Sequence, residues 1–277
     1  MMSTLSKLER ATASFSNSKR MPVLFLGHGS PMNGIEDNEF VRGFQAQAEQ
    51  LEKPNAIIVV SAHWETIGTY VTAMEHPRTI HDFGGFPPAL YEVQYPAPGH
   101  PELARTLTEF VQPAQTVHLD DKWGLDHGSW TVVKHLFPDA DVPVIQLSID
   151  RTKPPQYHYE LAQQLRELRS RGVLIVGSGN MVHNLRRVAW DRLDEPYAYD
   201  WAIEADTKMK KWIVEGNDQS LIDFRKHGTA FDLAIPTPEH YLPLLYTLGL
   251  KDEDDDTLLF NDQPLGGSLT MTSVKFG

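Results

Sequence analysis

The sequence predicts a single α/β domain: a mainly parallel or mixed central sheet flanked by helices, with the active site at the carboxyl ends of the strands. Three observations carry that expectation. Aliphatic runs with little polar alternation, at 23–27, 56–60, 142–149 and 173–176, suit strands covered on both faces. Segments of helical periodicity separate them, and alternating strands and helices produce a largely parallel sheet. Three of the runs also stop close to a histidine: Gly27-His28-Gly29, Ser61-Ala62-His63, and Gly177-Ser178-Gly179-Asn180 followed by His183. Side chains at the carboxyl ends of parallel strands converge on one crevice.

Taken in order, residues 1–20 are Ser-rich, carry Lys7, Arg10, Lys19 and Arg20 against Glu9 alone, and are expected to form a disordered N-terminal extension to a domain at 21–277. The first strand runs to Gly27, and Gly29-Ser30-Pro31 turns the chain out of the sheet. Phe40, Val41, Phe44, Ala48 and Leu51 recur at helical spacing, which predicts a helix over 38–52 that Pro54-Asn55 ends. Strands follow at 56–61, delivering His63, and at 70–74. Between Arg78 and His100 lies an aromatic, Pro- and Gly-rich loop without periodicity, read equally as a lid that stacks a planar substrate and as a loop packed by its own side chains.

A helix over 101–111 and a strand over 116–119 lead to Asp126-His127-Gly128-Ser129-Trp130. There a helix is expected from Ser129, acting as N-cap, to Leu136, with Asp126 placed to orient the His127 ring. A helix over 157–171, closed by Gly172, precedes the strand that ends at Gly177. Helices are expected at 199–214 and 220–226, and another begins within 236–246, its first turn offering Glu239 and His240. Residues 251–256 read as a solvated acidic loop, and 268–276 alternates as a closing strand.

The totals narrow the chemistry. With 25 Lys+Arg against 37 Asp+Glu and a formal net charge of -12, nucleic acid and anionic membrane are disfavoured as partners. No apolar stretch approaches the roughly 18 residues of a membrane span, and none near the N-terminus resembles a signal-peptide core. A small-molecule substrate and a cytoplasmic protein, monomer or homodimer, are expected. With no cysteine, a metal site must use His, Asp and Glu, which directs attention to the twelve histidines. His28, His63, His127, His183 and His240 stand at chain breaks and are the candidates. His76, His100, His118, His135, His158 and His227 occupy polar or peripheral contexts and are expected on the surface; His81, in the aromatic loop, is undecided. Imidazoles without thiolates suit a divalent metal with open positions, either zinc in a hydrolase or non-haem Fe(II) in an oxygenase. There is no His-Glu-x-x-His motif and no Gly-x-Ser-x-Gly elbow, and Gly177-Ser178-Gly179-Asn180 is only a fragment of a phosphate-cradling fingerprint.

Six motifs carry a resemblance: Gly27-His28-Gly29-Ser30-Pro31, Ser61-Ala62-His63-Trp64, His81-Asp82-Phe83-Gly84-Gly85-Phe86, Asp126-His127-Gly128-Ser129-Trp130, Gly179-Asn180-Met181-Val182-His183-Asn184-Leu185 and Pro236-Thr237-Pro238-Glu239-His240-Tyr241. In this order they resemble the bacterial class III extradiol ring-cleavage dioxygenases, most closely the DOPA 4,5-dioxygenase group, over 21–277. The resemblance implies a metal-dependent enzyme that opens a catechol such as L-DOPA with O2 to a muconic semialdehyde. It implies His28 and His63 as metal ligands and His240, beside Glu239, in the place where related enzymes often use a glutamate. It implies His183 as the metal-adjacent acid/base that also reaches a bound zinc, and His127 as a substrate-binding residue that also serves as acid/base. The aromatic wall of Phe83 and Phe86 would shield the reaction. Fe(II) is implied for activity, and a set of three or four histidines favours Zn(II) in a purified sample. A zinc hydrolase and a non-catalytic metal-binding interaction protein on the same fold are the competing readings.

Overall fold

The aliphatic runs become the centre of one sheet. The computed structural model describes Thr12, Phe15 and residues 19–193 and 195–277, so most of the expected N-terminal extension lies outside the described residues. The chain forms β1 (Val23–Gly27), β2 (Ala56–Thr66), β3 (Thr69–Thr72), β4 (Val117–Asp120), β5 (Val144–Asp150), β6 (Val173–Gly179), β7 (Thr257–Phe260), β8 (Pro264–Leu265), β9 (Leu269–Thr270) and β10 (Ser273–Phe276). Eight of these make a sheet in the order β4-β3-β5-β2-β6-β1-β10-β7. The central β5, β2, β6 and β1 are parallel, as are β3 and β4. The β3–β5, β1–β10 and β10–β7 pairs are antiparallel, so the sheet is mixed, with its parallel strands at the centre.

Successive strand residues point to opposite faces, and here both faces are covered. Phe25, Ile58, Val60, Ile145 and Ile175 share one cluster with α3 (Pro101–Phe110), α5 (Pro155–Leu165), α6 (Asp200–Glu215) and α9 (Leu242–Leu250). Leu24, Leu26, Ile57, Val59, Leu174 and Val176 share the other with α1 (Glu39–Ala48) and α4 (His127–Leu136). Each such aliphatic side chain contributes about 1.5–3 kcal/mol on full burial. Short helices complete the fold: α2 (Pro88–Tyr91) in the aromatic loop, α7 (Asp218–Ile222) and α8 (Thr229–Ala234). No helix among the described residues is long and apolar enough to cross a membrane.

Several expectations are corrected. The closing strand is broken at Met271, whose backbone crosses the end of β1 so closely that a Cβ on Gly27 would lie 2.5 Å from its carbonyl oxygen. The α4 helix begins at His127, not after Ser129, because Asp126 takes the cap and accepts from Ser129 N–H at 3.1 Å. The last helix begins only at Leu242, with Pro243 in its opening turn, so Glu239 and His240 belong to the turn before it. Residues 251–256 are not simply solvated. The Asp255 side chain is fully buried and pairs with Arg169, itself 0 % exposed, at 2.6 and 2.9 Å; Arg20 adds a 2.8 Å contact. His158, expected on the surface, is fully buried with Nδ1 3.1 Å from the Tyr246 hydroxyl.

Candidate metal centre and active site

The crevice at the carboxyl ends of the parallel strands receives the five candidate histidines from five places. His28 directly follows β1, its N–H donating to the Gly179 carbonyl at 3.1 Å, and Gly29 turns the chain away with φ of 61°. His63 lies inside β2 rather than after it, at the irregularity where pairing with β5 slips between Val60 and Glu65. Such bulges re-aim a side chain beside an active site. His127 is the first residue of α4. His183 follows β6, held by a 2.9 Å bond from its N–H to the Ala234 carbonyl. His240 is brought in by its own backbone: its carbonyl accepts from Asn180 N–H at 2.9 Å and packs where a Cβ on Gly179 would stand 2.1 Å away. The glycines of 177–180 thus serve close packing, and the phosphate-cradle reading of this segment is set aside.

The rings of His28, His63 and His240 form a nearly equilateral triangle, with centroid separations of 5.0, 5.2 and 5.0 Å. Imidazoles bound through Nε2 at about 2.1 Å to adjacent positions of one metal have centroids roughly 4.5–5.3 Å apart. The His183 ring stacks on His240 at 3.5 Å and 8°. The His127 ring lies 3.8 Å from His63 and 5.6 Å from His28. Possible ligand atoms of His28, His63 and His127 fall within 4.8 Å of one another, as do those of His183, Glu239 and His240. These imidazole and carboxylate donors, with no thiolate among them, suit a divalent cation.

Oxygen partners stand behind the triangle. His28 Nδ1 is 3.1 Å from Ser178 Oγ, whose hydroxyl hydrogen is already donated to the Gly128 carbonyl. A carbonyl only accepts, so Ser178 must accept from His28 Nδ1–H, which leaves Nε2 of His28 as a lone pair. His240 Nδ1 is 3.3 Å from Glu239 Oε1, which also accepts from Thr237 Oγ at 2.9 Å. Behind His63 Nδ1 stands Asp82 Oδ2 at 3.6 Å. Asp82 also takes the part expected of Asp126: its Oδ1 lies 3.0 Å from His127 Nδ1. Asp126 is occupied instead as the buried helix cap, accepting from Ser61 Oγ at 2.7 Å and from the Gln146 amide.

Burial sets the charge state. Desolvation, reinforced by the neighbouring imidazoles, holds His28 and His240 well below the ordinary histidine range and pushes His63 down to about 3; desolvation, opposed by Glu239, takes His183 to about 4. All four are neutral at pH 7 and offer lone pairs. Asp82 is held below the usual carboxylate value: burial opposes this, but its hydrogen bonds with His127 prevail.

The aromatic loop closes one side. Phe83 meets His127 edge-on at 5.6 Å and packs near Phe86, Tyr91 and Trp130 at 5.4, 5.1 and 6.4 Å. His81 belongs to this packing, its Nε2 3.0 Å from the Val93 carbonyl, and stays out of the triangle. Its own side chains pack the loop, as one sequence reading expects, and its Phe83 lies against His127. Sequence reasoning did not find Asp82 or Ser178 as partners of the site.

Residues 22–270 match the family described as the catalytic LigB subunit of aromatic ring-opening dioxygenase. The chain belongs to this family. It is 49 % identical to the 4,5-DOPA dioxygenase extradiol of Escherichia coli (strain K12), over 94 % of this chain and 96 % of that one. It is 35 % identical to the Beta vulgaris protein of the same name, over 92 % and 96 %. A crystal structure of an uncharacterized Escherichia coli K12 protein matches with a TM-score of 0.79 and 44 % identity, covering 93 % of this chain and all of that one. As a LigB-family member the protein is an aromatic ring-opening dioxygenase that uses a divalent metal, O2 and a catechol, and the hydrolase and non-catalytic readings fall away.

Proposed function

We propose that residues 21–277 are the catalytic domain of an enzyme that opens L-DOPA, or a closely similar catechol, with O2 to a muconic semialdehyde. The metal is held by His28, His63 and His240, with His183 at its margin as acid/base and, with zinc, a fourth ligand. The observation that carries this reading is the 5.0, 5.2 and 5.0 Å triangle of neutral imidazoles. The substrate is drawn from the names of the relatives, several of which are called 4,5-DOPA dioxygenase extradiol.

When bound, the metal supplies a centre that gathers both catechol oxygens and O2, with Fe(II) adding the redox chemistry that Zn(II) lacks. The chain's residues do the rest. His183, neutral at pH 7 and stacked on His240, is the ring placed to accept a hydroxyl proton as the catechol binds. His127, braced by Asp82, is the second proton-handling group and hydrogen-bonds the substrate. Phe83 and Phe86 form the wall against which the aromatic ring stacks, and they keep water from the reacting carbons. The carbon–carbon bond beside the diol breaks, both atoms of O2 enter the product, and no external reductant is consumed. A cytoplasmic location, as monomer or homodimer, belongs to the same proposal, since a reducing compartment keeps Fe(II) available.

The test is isotopic. Iron-loaded protein given L-DOPA and heavy-oxygen O2 is expected to yield a yellow ring-opened product carrying both labelled atoms. A hydroxylated or dimerised product with one label or none would overturn the reaction assigned.

A further inference from the structure

One carboxylate reaches two of the five histidines. Asp82 Oδ1 accepts from the His127 main-chain N–H at 2.9 Å and lies 3.0 Å from the same residue's Nδ1, whereas Oδ2 lies 3.6 Å from Nδ1 of His63. The carboxylate is largely covered, at 18 % exposure, and the next residue, Phe83, sets its ring edge-on to His127. Each oxygen of Asp82 therefore faces a different ring.

We propose that Asp82 is a positioning residue that fixes two tautomers at once in the metal-loaded protein. It keeps a proton on Nδ1 of His63, so that Nε2 of His63 is a lone pair aimed where Nε2 of His28 already points, 3.1 Å away. It keeps a proton on Nδ1 of His127, so that Nε2 of that ring is free to take a proton from substrate. The inference rests on reading His63 as a ligand and His127 as a pocket residue. An outer-shell acceptor that orients a ligating histidine is commonly worth about 10–100-fold in metal affinity.

The carboxylate is required because both rings present donors. In Asp82→Asn, the His127 main-chain N–H, which donates to Oδ1 at 2.9 Å, claims the amide oxygen and leaves the NH2 facing His63 Nδ1–H, donor against donor. His63 relieves the clash by moving its proton to Nε2, which removes the lone pair a metal needs. The substitution is therefore expected to act on His63 and to spare His127, although His127 is the nearer ring.

The test uses zinc-loaded protein, which is diamagnetic, and two measurements: ring nitrogen NMR and competition for zinc against a chromophoric chelator. In the wild type, His63 and His127 are both expected to carry their proton on Nδ1, and Asp82→Asn is expected to weaken zinc binding about 10–100-fold while His127 keeps its tautomer. A proton on Nε2 of either ring in the wild type overturns the proposal and needs no variant to show it. His63→Ala separates the two levels. If His63→Ala loses zinc while Asp82→Asn binds it like the wild type, the role of Asp82 is wrong and the ligand set stands. If His63→Ala itself binds zinc like the wild type, the ligand set has failed and the role of Asp82 with it.

Discussion

The Nε2 atoms of His28 and His63 face each other across 3.1 Å, although His28 follows β1 and His63 lies in the irregular end of β2, two strands that β6 separates in the sheet. Two nitrogens each about 2.1 Å from one metal stand roughly 3.0–3.4 Å apart between octahedral and tetrahedral angles. Without a metal, His63 Nε2–H can donate to the His28 lone pair. The same spacing lets both nitrogens share one cation, and the His240 ring completes the triangle.

Removing a ligand and removing a proton-handling group should therefore separate cleanly. His28→Ala, His63→Ala and His240→Ala are each expected to bind metal worse than an outer-shell variant does, by more than about 100-fold. His127→Ala should keep its metal and lose about 10²–10⁴ in turnover. Metal content after dialysis, set beside turnover at saturating Fe(II), distinguishes the two classes.

Ser178 fixes His28 through a chain that ends on the Gly128 carbonyl. Ser178→Ala leaves the His28 ring Nδ1–H without its partner, while the Gly128 carbonyl, inside α4, keeps its place in the helix ladder. We expect metal affinity to fall about 10-fold, with stability lowered by about 1–3 kcal/mol for the orphaned buried group. Equilibrium competition for zinc and urea unfolding measure the two effects.

Gly179 lets the His240 backbone approach to a distance that any side chain would block. In Gly179→Ala the new methyl would stand 2.1 Å from the His240 carbonyl oxygen, a contact that only backbone movement relieves. The expected cost is about 1–3 kcal/mol of overpacking strain. Zinc affinity should fall with it, because the third corner of the triangle moves; unchanged affinity in a folded variant would show that the position of His240 does not depend on this contact.

Acid should weaken the metal-free protein in two stages. His63 near 3 and His158 and His183 near 4 are depressed by burial, and His28 and His240 are lower than usual for the same reason. Between the ordinary histidine value of about 6.5 and those folded values the unfolded chain binds more protons, so stability falls as pH falls through that window. The second stage belongs to Asp255, held below the usual carboxylate value because its bonds to Arg169 outweigh its burial. A depressed carboxylate stabilises the fold above its unfolded value of about 3.9, and that contribution is lost as pH drops through the folded value. Asp255→Asn should cost about 3 kcal/mol at pH 7, because the buried guanidinium loses its two-bonded partner and keeps only Asp252, at 3.5 Å, as a counter-charge. Urea unfolding across a pH series should show the gap between the wild type and this variant narrowing as pH falls below the usual carboxylate value.

The sequence made legible the parts governed by local pattern. The uninterrupted aliphatic runs announce strands covered on both faces, and four of them are the parallel centre of the sheet. Histidines at chain breaks announce the site, and all five candidates meet there. What the pattern concealed are relationships set by distant contacts. His63 looked like the residue after a strand because nothing local marks the slip between β2 and β5. Ser129 looked like a helix cap, yet Asp126 displaced it with a stronger acceptor. Asp82 was hidden among aromatic residues, and Ser178 read as half of a phosphate motif, because a hydrogen-bond partner's identity depends on which strand lies next door. The 251–256 loop looked solvated from its charge, and only the buried Arg169 explains why Asp255 is inside.

The most direct measurement is substrate-dependent oxygen uptake by protein reconstituted anaerobically with Fe(II). The account predicts one O2 consumed per catechol opened, with L-DOPA among the substrates, and no uptake by His28→Ala or His63→Ala treated in the same way. Full iron occupancy without oxygen uptake on any of a broad panel of catechols would contradict it.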